Sequence, residues 1–241
     1  MAVIHRFQAV DSTMLRAAAL AAEGAPDGTV VIADEQTAGQ GRLGRNWHSE
    51  PGAGLYMTQI LRPSFEAGRL PVATLALGLA TAGAITDLSG IAVDLRWPND
   101  VLIGDKKCAG ILAQLSDGIL LAGIGINVNH TGFPPDIASI ATSLSLISRK
   151  RYDRDHLLTL LIEAISREMS VLFDRGPAAV IRAFSAASSY VYGRRVVIED
   201  GHTTARGTTD GLDNDGFLWL RNDNGVRTRI LAGGVRPDLC C

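Results

Sequence analysis

The spacing of hydrophobic and polar positions predicts alternating strands and helices over the first three quarters of the chain. Short runs rich in β-branched residues are typical of strands, and longer stretches with apolar residues three and four apart are typical of helices. We predict strands at residues 3–9, 29–33, 55–61, 93–97, 101–103, 107–115 and 119–128. We predict helices at residues 15–23, 69–88, 153–173 and 177–187.

Two of these helices carry start signals, and a different one, at residues 69–88, raises the question of a membrane span. Asp11 or Ser12 can cap the first helix and Asp153 the third, because their side chains accept hydrogen bonds from free N–H groups of a first turn. Residues 70–86 hold no charged side chain, so a membrane span has to be weighed. The stretch is slightly short and rich in Ala, Gly and Thr, so we predict a buried helix and no membrane partner.

The pattern changes near Ser188. Beyond residue 192 the apolar runs become short and are separated by Gly, Asp and Asn turns, with strands predicted at residues 195–198, 203–208, 216–220 and 226–231. Such spacing is typical of a small β barrel. We therefore predict two domains, residues 1–187 and residues 188–241.

The composition is typical of an ordinary globular protein. Hydrophobic residues make up 46% of the 241 residues and charged residues 20%, and the formal net charge of −2 provides no basic field that would attract nucleic acid. The three cysteines imply no disulfide framework, and a reducing cytoplasm is the compartment that we expect. Cys240 and Cys241 could accept a lipid, but no other targeting feature accompanies them, so we expect a frayed tail.

One loop concentrates the residues that suggest ligand binding. Residues 36–47 hold three glycines, two arginines, a tryptophan and no acid. Glycine lets the backbone approach a ligand, and arginine offers forked donors to phosphate or carboxylate, so the loop suits an anion on a planar group, such as a nucleotide. The glycine spacing matches the dinucleotide-binding fingerprint, but that motif should open a helix and loop-forming residues follow here. A Walker phosphate-binding loop is excluded because no Gly-Lys-Ser/Thr follows. A flexible surface turn is the remaining alternative.

Other polar residues follow predicted strands. Asn99 and Asp100 come after a strand end, where they can face a ligand or form a simple turn. Gly123 and Gly125 lie within a strand, which suggests that a ligand or another backbone comes close. None of the five histidines has metal-ligand spacing, so the sequence predicts no zinc site.

Five segments together resemble the biotin protein ligases over nearly the whole chain. They are Asp11-Ser12-Thr13, the loop at residues 35–47, Arg96-Trp97-Pro98-Asn99-Asp100, Lys107-Cys108-Ala109-Gly110-Ile111-Leu112, and Gly123-Ile124-Gly125-Ile126-Asn127. Three positions depart from the usual family pattern: Gln40 replaces an arginine of the loop, Met14 an asparagine and Arg96 a lysine. Gln40 removes one charge from the loop, whereas Arg96 keeps its charge.

The resemblance implies an α+β fold. A mixed β-sheet flanked by helices, akin to class II aminoacyl-tRNA synthetases and lipoate ligases, would be followed by an SH3-like barrel. It also implies a two-step reaction in which the biotin carboxylate attacks the α-phosphate of MgATP, giving biotinyl-5′-AMP. A lysine on the biotin carboxyl carrier domain of a carboxylase then accepts the biotin. The oligomeric state stays open, with a homodimer among the options.

The resemblance also suggests roles for individual residues. Lys107 and Arg42 are the predicted catalytic cations, and Asp100 is the predicted ligand of Mg²⁺. The predicted biotin-binding residues are Ser12, Thr13, Gln36, Gly39, Gln40, Gly41, Arg42, Lys107, Gly110, Gly123 and Gly125. The predicted ATP-binding residues are Arg42, Arg45, Trp47, Asn99, Lys107 and Asn127. A packing role for Trp47 and a solvated position for Lys107 are the alternatives.

Two other functions compete with this prediction. A lipoate or octanoate ligase of the related fold would activate a different acid, and a non-catalytic protein would only bind biotin. The glycine–arginine loop and Trp-Pro-Asn-Asp favour biotin over lipoate, and Lys107, Arg42 and Asp100 favour catalysis. The family also has a form with an N-terminal helix-turn-helix that represses transcription. Because this sequence starts at the catalytic segment, we expect no specific DNA partner.

Overall fold

The computed structural model describes residues 3–63, 66–200 and 203–238. The larger part is built on seven strands: β1 (Ile4–Val10), β2 (Val30–Gln36), β3 (Gly54–Leu61), β4 (Asp94–Arg96), β5 (Asp100–Ile103), β6 (Lys106–Ser116) and β7 (Ile119–Asn127). They form one sheet in the order β1-β2-β3-β7-β6-β5-β4. Only β1 and β2 run parallel and the other neighbours are antiparallel, which confirms the predicted mixed sheet.

Helices cover both faces of this sheet. They are α1 (Thr13–Ala22), α2 (Leu70–Ser89), α3 (Leu144–Ser148), α4 (Arg154–Arg175) and α5 (Pro177–Ala186). α1 packs on β2, β3 and β7, while α2 packs on β4, β5 and β6 and is itself covered by α4 and α5. Strand β3 is therefore covered on both sides, and all of its residues except Leu61 are buried.

The long apolar helix lies in the core. By length and composition alone, Ala67–Ser89 could cross a membrane, but 61% of its most apolar window is buried inside the fold. Its residues are apolar on all sides because the sheet and two helices surround it. Gly90 ends the helix with a left-handed conformation (φ 69°). The prediction of a buried helix is therefore confirmed.

The second part of the chain forms a small antiparallel sheet. Its strands are β8 (Tyr192–Glu199), β9 (Thr204–Leu212), β10 (Leu218–Arg221), β11 (Arg227–Ile230) and β12 (Gly234–Pro237), in the order β11-β10-β9-β8-β12. The predicted small β domain is confirmed, but it is not a closed barrel: within the described residues β11 and β12 remain edges with one neighbour each. No ladder joins β11 to β12 among the described residues, so the five strands form an open sheet.

The small sheet packs against the larger one through a shared core. The side chains of Val196, Leu218 and Val235 belong to the same buried cluster as Leu95 and Trp97. The indole Nε1 of Trp97 also donates a hydrogen bond to the carbonyl of Gly216 (2.9 Å). The domain boundary at residue 188 stays a prediction, since the packing is continuous across it.

Cys108 is a buried residue of this core. It forms no disulfide with any residue that the structure describes, and burial raises the pKa of its thiol to about 12, so the thiol stays protonated and unreactive. Cys240 and Cys241, for which we expect a frayed tail, lie outside the described residues.

Candidate functional site

Two adjoining cavities lie where the glycine–arginine loop crosses the ends of β5, β6 and β7. The inner pocket is lined by Ser12, Thr13, Met14, Gln36, Gln40, Gly41, Arg42, Trp47, Met57, Asn99, Lys107, Gly110, Ile111, Leu112, Gly123, Ile124 and Gly125. It opens into an outer cleft of about 550 Å³ that is shared with the small sheet. Ten of the eleven predicted biotin-binding residues line the inner pocket, and all six predicted ATP-binding residues line the outer cleft.

The end of the inner pocket at α1 is polar and uncharged. The Oε1 atom of Gln36 accepts hydrogen bonds from the backbone N–H of Thr13 (2.8 Å) and from its hydroxyl (3.0 Å). The predicted capping role of Ser12 is wrong, because its side chain makes no capping hydrogen bond although it occupies the N-cap position. Instead the Ser12 hydroxyl is buried, and no hydrogen-bond partner for it occurs among residues 3–63, 66–200 and 203–238. A free buried hydroxyl in a pocket is available to a ligand.

Glycines form the floor of the pocket. Gly110 on β6 pairs with Gly125 on β7, and Gly123 lies two residues away on the same face. A Cβ atom at Gly123 would lie 2.7 Å from the sulfur of Met14, and one at Gly125 would lie 2.5 Å from the Trp47 ring. Any larger residue would therefore fill the pocket, which explains the glycines inside these strands.

Trp47 lies over this floor. Its ring would also be 2.8 Å from a Cβ atom at Gly110, and Lys107 Nζ lies 5.2 Å from the ring centroid. The indole Nε1 is buried and has no hydrogen-bond partner in the described part of the chain. With the ring in this position the inner pocket retains about 40 Å³, room for no more than a few water molecules. A larger ligand must therefore displace the indole.

The opposite end of the pocket is charged. Lys107 Nζ contacts Asp100 Oδ1 (2.6 Å), and Arg96 contacts the other carboxylate oxygen of Asp100 (2.7 Å). Burial by itself would raise the pKa of Asp100, but the charges of and hydrogen bonds from Lys107 and Arg96 more than offset it and hold that pKa below its usual value. Asp100 is therefore an anion between two cations.

Arg42 reaches this charged end from the loop. Its Nη1 atom donates to Asn99 Oδ1 (3.1 Å), and Asn99 in turn donates to the carbonyl of Ile111 (2.7 Å). Burial and the charge of Arg45 lower the pKa of Arg42 against the opposing effect of Asp100. The loop thus brings its positive charge to the turn after β4 that carries Asn99.

Gly39 and Gln40 occupy supporting positions. Gly39 does not line either cavity: its carbonyl accepts from the Trp47 N–H (2.8 Å), and a Cβ atom there would lie 2.8 Å from the Trp47 carbonyl. Gln40 forms a β-bridge with Asn46 and is exposed, although part of it reaches the inner pocket. Gly39 therefore closes the base of the loop, a backbone role that differs from the predicted ligand contact.

The outer cleft contains groups that the sequence did not single out. Arg194, Gly233, Gly234 and Arg236 come from the small sheet, and Phe133, Ile137 and Ile140 come from the segment after β7. In the sequence this segment has only the features of a loop, so its place in the cleft is seen only in the folded structure. Asn127 lines the cleft but is buried and donates to the carbonyl of Thr142 (3.0 Å), so its amide also anchors this segment.

Asp100, the predicted ligand of Mg²⁺, is poorly placed to coordinate an ion. Both carboxylate oxygens of Asp100 already contact cations, and its side chain is only 17% exposed. Magnesium is usually held by one or two free carboxylates together with water and substrate phosphates. An ion at Asp100 would have to displace Lys107 or Arg96, so the arrangement does not support direct coordination by Asp100.

Comparison with known proteins agrees with this architecture. The family model described as the biotin/lipoate A/B protein ligase family matches residues 6–130, and the one described as the biotin protein ligase C terminal domain matches residues 191–235. The bifunctional ligase/repressor BirA of Bacillus subtilis is 34% identical over 90% of this chain and 69% of its own length. The biotin–[acetyl-CoA-carboxylase] ligase of Mycobacterium tuberculosis is 34% identical over 90% of this chain and 81% of its own length.

A solved structure shows the same fold over the full length. The biotin protein ligase of Aquifex aeolicus, in complex with biotin and ATP, superposes with a TM-score of 0.88 at 32% identity and covers 99% of this chain and 100% of its own. The fold and the site thus define an enzyme of the ligase class. The chain belongs to the biotin/lipoate A/B protein ligase family, and its C-terminal match places it with the biotin protein ligases.

Proposed function

We propose that this enzyme activates biotin with ATP as biotinyl-5′-AMP and transfers it to a lysine of a biotin carboxyl carrier domain. The observation that carries the proposal is the order of groups along the inner pocket. Neutral polar groups lie at one end, a glycine floor lies in the middle, and Lys107 and Arg42 lie at the other end. Biotin has the same order of parts: a ureido group, an apolar ring system with its chain, and a carboxylate.

The uncharged end suits the ureido group. The Ser12 hydroxyl, which is free in this structure, would donate to the ureido oxygen, while Thr13 and Gln36 complete the polar surround. Lipoate and octanoate have no polar group at the corresponding end. They would leave a buried hydroxyl unsatisfied, at a cost of roughly 1–3 kcal/mol. The polar end therefore favours biotin over both alternatives.

The charged end supports the first chemical step. A carboxylate oxygen of biotin attacks the α-phosphorus of ATP, the bond from that phosphorus to the bridging oxygen breaks, and pyrophosphate leaves. Two anions must approach each other, so fixed cations lower the barrier. Lys107 and Arg42 would supply that charge, and the incoming carboxylate would compete with Asp100 for Lys107. Asp100 enters the proposal as the counter-ion that positions Lys107.

The outer cleft would hold the nucleotide. Arg45, Asn99 and Asn127 line it, and Trp47, once displaced from the glycine floor, would offer a flat surface to adenine. In the second step the ε-amine of the carrier lysine attacks the carbonyl carbon of the mixed anhydride. An amide forms, AMP leaves, and the amine releases a proton to solvent.

The test separates the candidate acids and the role of the cation. The enzyme is incubated with MgATP and biotin, lipoate or octanoate, acyl-adenylates are identified by mass, and a carrier domain is then added to detect the modified lysine. We expect only biotinyl-5′-AMP and a biotinylated lysine. A lipoyl- or octanoyl-adenylate alone, or no adenylate at all, would contradict the proposal.

A matched pair of lysine variants tests the catalytic cation. Lys107→Ala should reduce biotin-dependent pyrophosphate exchange by at least about a hundredfold, in the range of losing one preorganised charge contact. Its affinity for biotin should fall much less, because the cation acts mainly where phosphate charge develops. Lys106→Ala is the control, since Lys106 is exposed and donates to the carbonyl of Ala138 (3.1 Å), away from Asp100. Equal exchange rates in the two variants would exclude this role for Lys107.

A further inference from the structure

Two imidazoles and a carboxylate meet beside the outer cleft, and none of them has a role in the proposal above. His48, Glu50 and His130 each bring a potential ligand atom to within 4.8 Å of the other two. His48 and Glu50 follow the glycine–arginine loop, whereas His130 follows β7. His48 also lines the outer cleft, while His130 is completely buried (0% exposed).

The hydrogen bonds of Tyr56 determine which nitrogen of His130 is free. The phenol hydroxyl donates its single proton to the carbonyl of Glu50 (3.1 Å). It also lies 3.1 Å from His130 Nε2, so in that contact the hydroxyl must accept and Nε2 must carry the proton. His130 Nδ1 is then an unprotonated acceptor. It is buried, and none of the residues that the structure describes offers it a hydrogen bond.

We propose that His48, Glu50 and His130 Nδ1 bind a divalent transition-metal ion, with Zn²⁺ as the best match. Two imidazole nitrogens and one carboxylate are a common zinc ligand set, whereas Mg²⁺ and Ca²⁺ prefer oxygen ligands. Tetrahedral ligands at about 2.0–2.2 Å from zinc lie roughly 3.3 Å apart. The present separations, within 4.8 Å, would have to close by rotation of the His48 and Glu50 side chains toward His130 Nδ1.

The surroundings complete the site. The Nε2–H···Tyr56 hydrogen bond would act as an outer contact of the kind that orients metal-binding histidines, and it leaves Nδ1 as the nitrogen that binds. Phe133 stacks on the His130 ring (5.1 Å between centroids, 17° between planes) and so holds that ring in place. Because His48 lines the cleft, water can take the fourth position. The sequence predicted no zinc site, since the two histidines come together only through the fold.

Metal binding would link two walls of the outer cleft. It would tie the segment that carries His48, next to Trp47, to the segment that carries His130 and Phe133. We therefore assign the ion a structural role at the cleft, distinct from the magnesium that accompanies ATP and independent of the residues that contact biotin.

The experiment uses Zn²⁺ alone as the probe. The full-length protein is treated with a chelator, dialysed and titrated with Zn²⁺ in the absence of ATP and biotin. We expect one ion per chain and a rise in Tm of roughly 5–10 °C at a hundredfold excess over Kd. His48→Ala and Glu50→Gln should abolish this binding. Tyr56→Phe keeps all three ligands but loses the acceptor for Nε2–H, so its affinity should fall roughly 10- to 100-fold.

Control variants exclude other ligands in the chain. His156→Ala removes an exposed histidine on α4, and the double variant Cys240→Ser/Cys241→Ser removes the terminal thiols; both should bind Zn²⁺ like the wild type. Absence of stoichiometric binding by the wild type would overturn the proposal. So would unchanged binding by His48→Ala and Glu50→Gln, or loss of binding in either control. Because His48→Ala and Glu50→Gln leave His130 in place, their metal-free Tm should match that of the wild type.

Discussion

Asp100 is a single carboxylate that holds two cations at the site. Its oxygens contact Lys107 (2.6 Å) and Arg96 (2.7 Å), and all three side chains are less than a third exposed. Removal of the shared anion would leave two positive charges close together and partly desolvated. Asp100 thus couples the position of the catalytic lysine to the stability of the fold.

We expect Asp100→Asn to lower the free energy of unfolding at pH 7 by roughly 3 kcal/mol, as is typical when one partner of a buried charge pair is removed. The folded-state pKa of Asp100 is depressed, so its contribution is present above the unfolded value of about 4 and is lost as the pH falls through the folded value. Urea unfolding should therefore show a smaller difference between variant and wild type at pH 3 than at pH 7.

The control for this prediction is Asp105→Asn. Asp105 also lines the cleft, but its side chain is 80% exposed and its only ion pair in the described chain, to Arg194, measures 3.5 Å. This variant should change stability by less than about 1 kcal/mol. If both variants lose the same amount, Asp100 has no special role as a counter-ion.

Trp47 occupies space that a ligand needs. The ring covers Gly110 and Gly125 and leaves its Nε1 unpaired among the described residues. We expect biotin to change the tryptophan fluorescence by moving this ring into a different environment. The change should disappear in Trp47→Phe and persist in Trp219→Phe, which removes a tryptophan of the small sheet. A biotin-dependent change of wild-type size in Trp47→Phe would show that the indole stays in place.

At the scale of elements, the loop between β2 and β3 is folded back on itself. The Gly39 carbonyl accepts from Trp47, Gly41 donates to the Arg45 carbonyl (2.7 Å), and Leu43 adopts a left-handed conformation (φ 57°). The sequence left a flexible surface turn open, but these hydrogen bonds form a defined loop that presents Arg42 to Asn99. We expect this loop to act as a cover over a bound intermediate.

We expect Arg42→Gly to release biotinyl-5′-AMP about ten- to a hundredfold faster, because a charge-assisted hydrogen bond is worth roughly 1.5–3 kcal/mol. Gln40 should make the increase larger, because an uncharged residue at this position cannot compensate for the lost charge of Arg42. The assay mixes the variant with MgATP, biotin and an unrelated lysine-rich protein and measures stray biotinylation on a blot. Arg42→Ala should release the adenylate equally fast, because the effect comes from the lost charge and not from the added flexibility of glycine. Labelling at the wild-type level, with adenylate still formed, would exclude the loop as a cover.

At the scale of the whole molecule, the two sheets share one buried cluster. Side chains of the small sheet pack with Leu95 and Trp97 of the larger part, and the Trp97 indole donates to Gly216. The outer cleft lies along the same junction, with Arg194 and Arg236 on one side and Lys107 on the other. The junction therefore contributes both to stability and to the shape of the cleft.

A continuous core predicts a single cooperative transition. We expect calorimetry to show one unfolding peak whose calorimetric and van't Hoff enthalpies agree, because the small sheet cannot leave without exposing the apolar side chains at the junction. Trp97→Phe should lower the Tm of the whole protein without splitting the peak. Two resolved transitions would instead show that residues 1–187 and 188–241 unfold as separate units.

The sequence determined the elements whose signals are local. Apolar runs and β-branched residues predicted seven strands of the large sheet within a few residues, and Asp153 caps α4 as predicted, accepting from two backbone N–H groups. Twelve of the seventeen residues that line the inner pocket were among the predicted ligand contacts, because ligand loops and strand glycines must have particular residue types. The short helix α3 and strand β12 were missed, since each has too few residues for a periodic pattern.

Only the tertiary structure decided which distant groups meet. The sequence could not show that Trp47 covers the glycine floor, that the Asp100 carboxylate is shared by Lys107 and Arg96, or that His48 and Glu50 lie beside His130. Local propensity depends on neighbours in the chain, whereas these contacts depend on strand order and on the path of the loops between strands. The sequence by itself therefore identified the family and suggested which residues form its pocket, and the fold decided how the charges and potential metal ligands are paired.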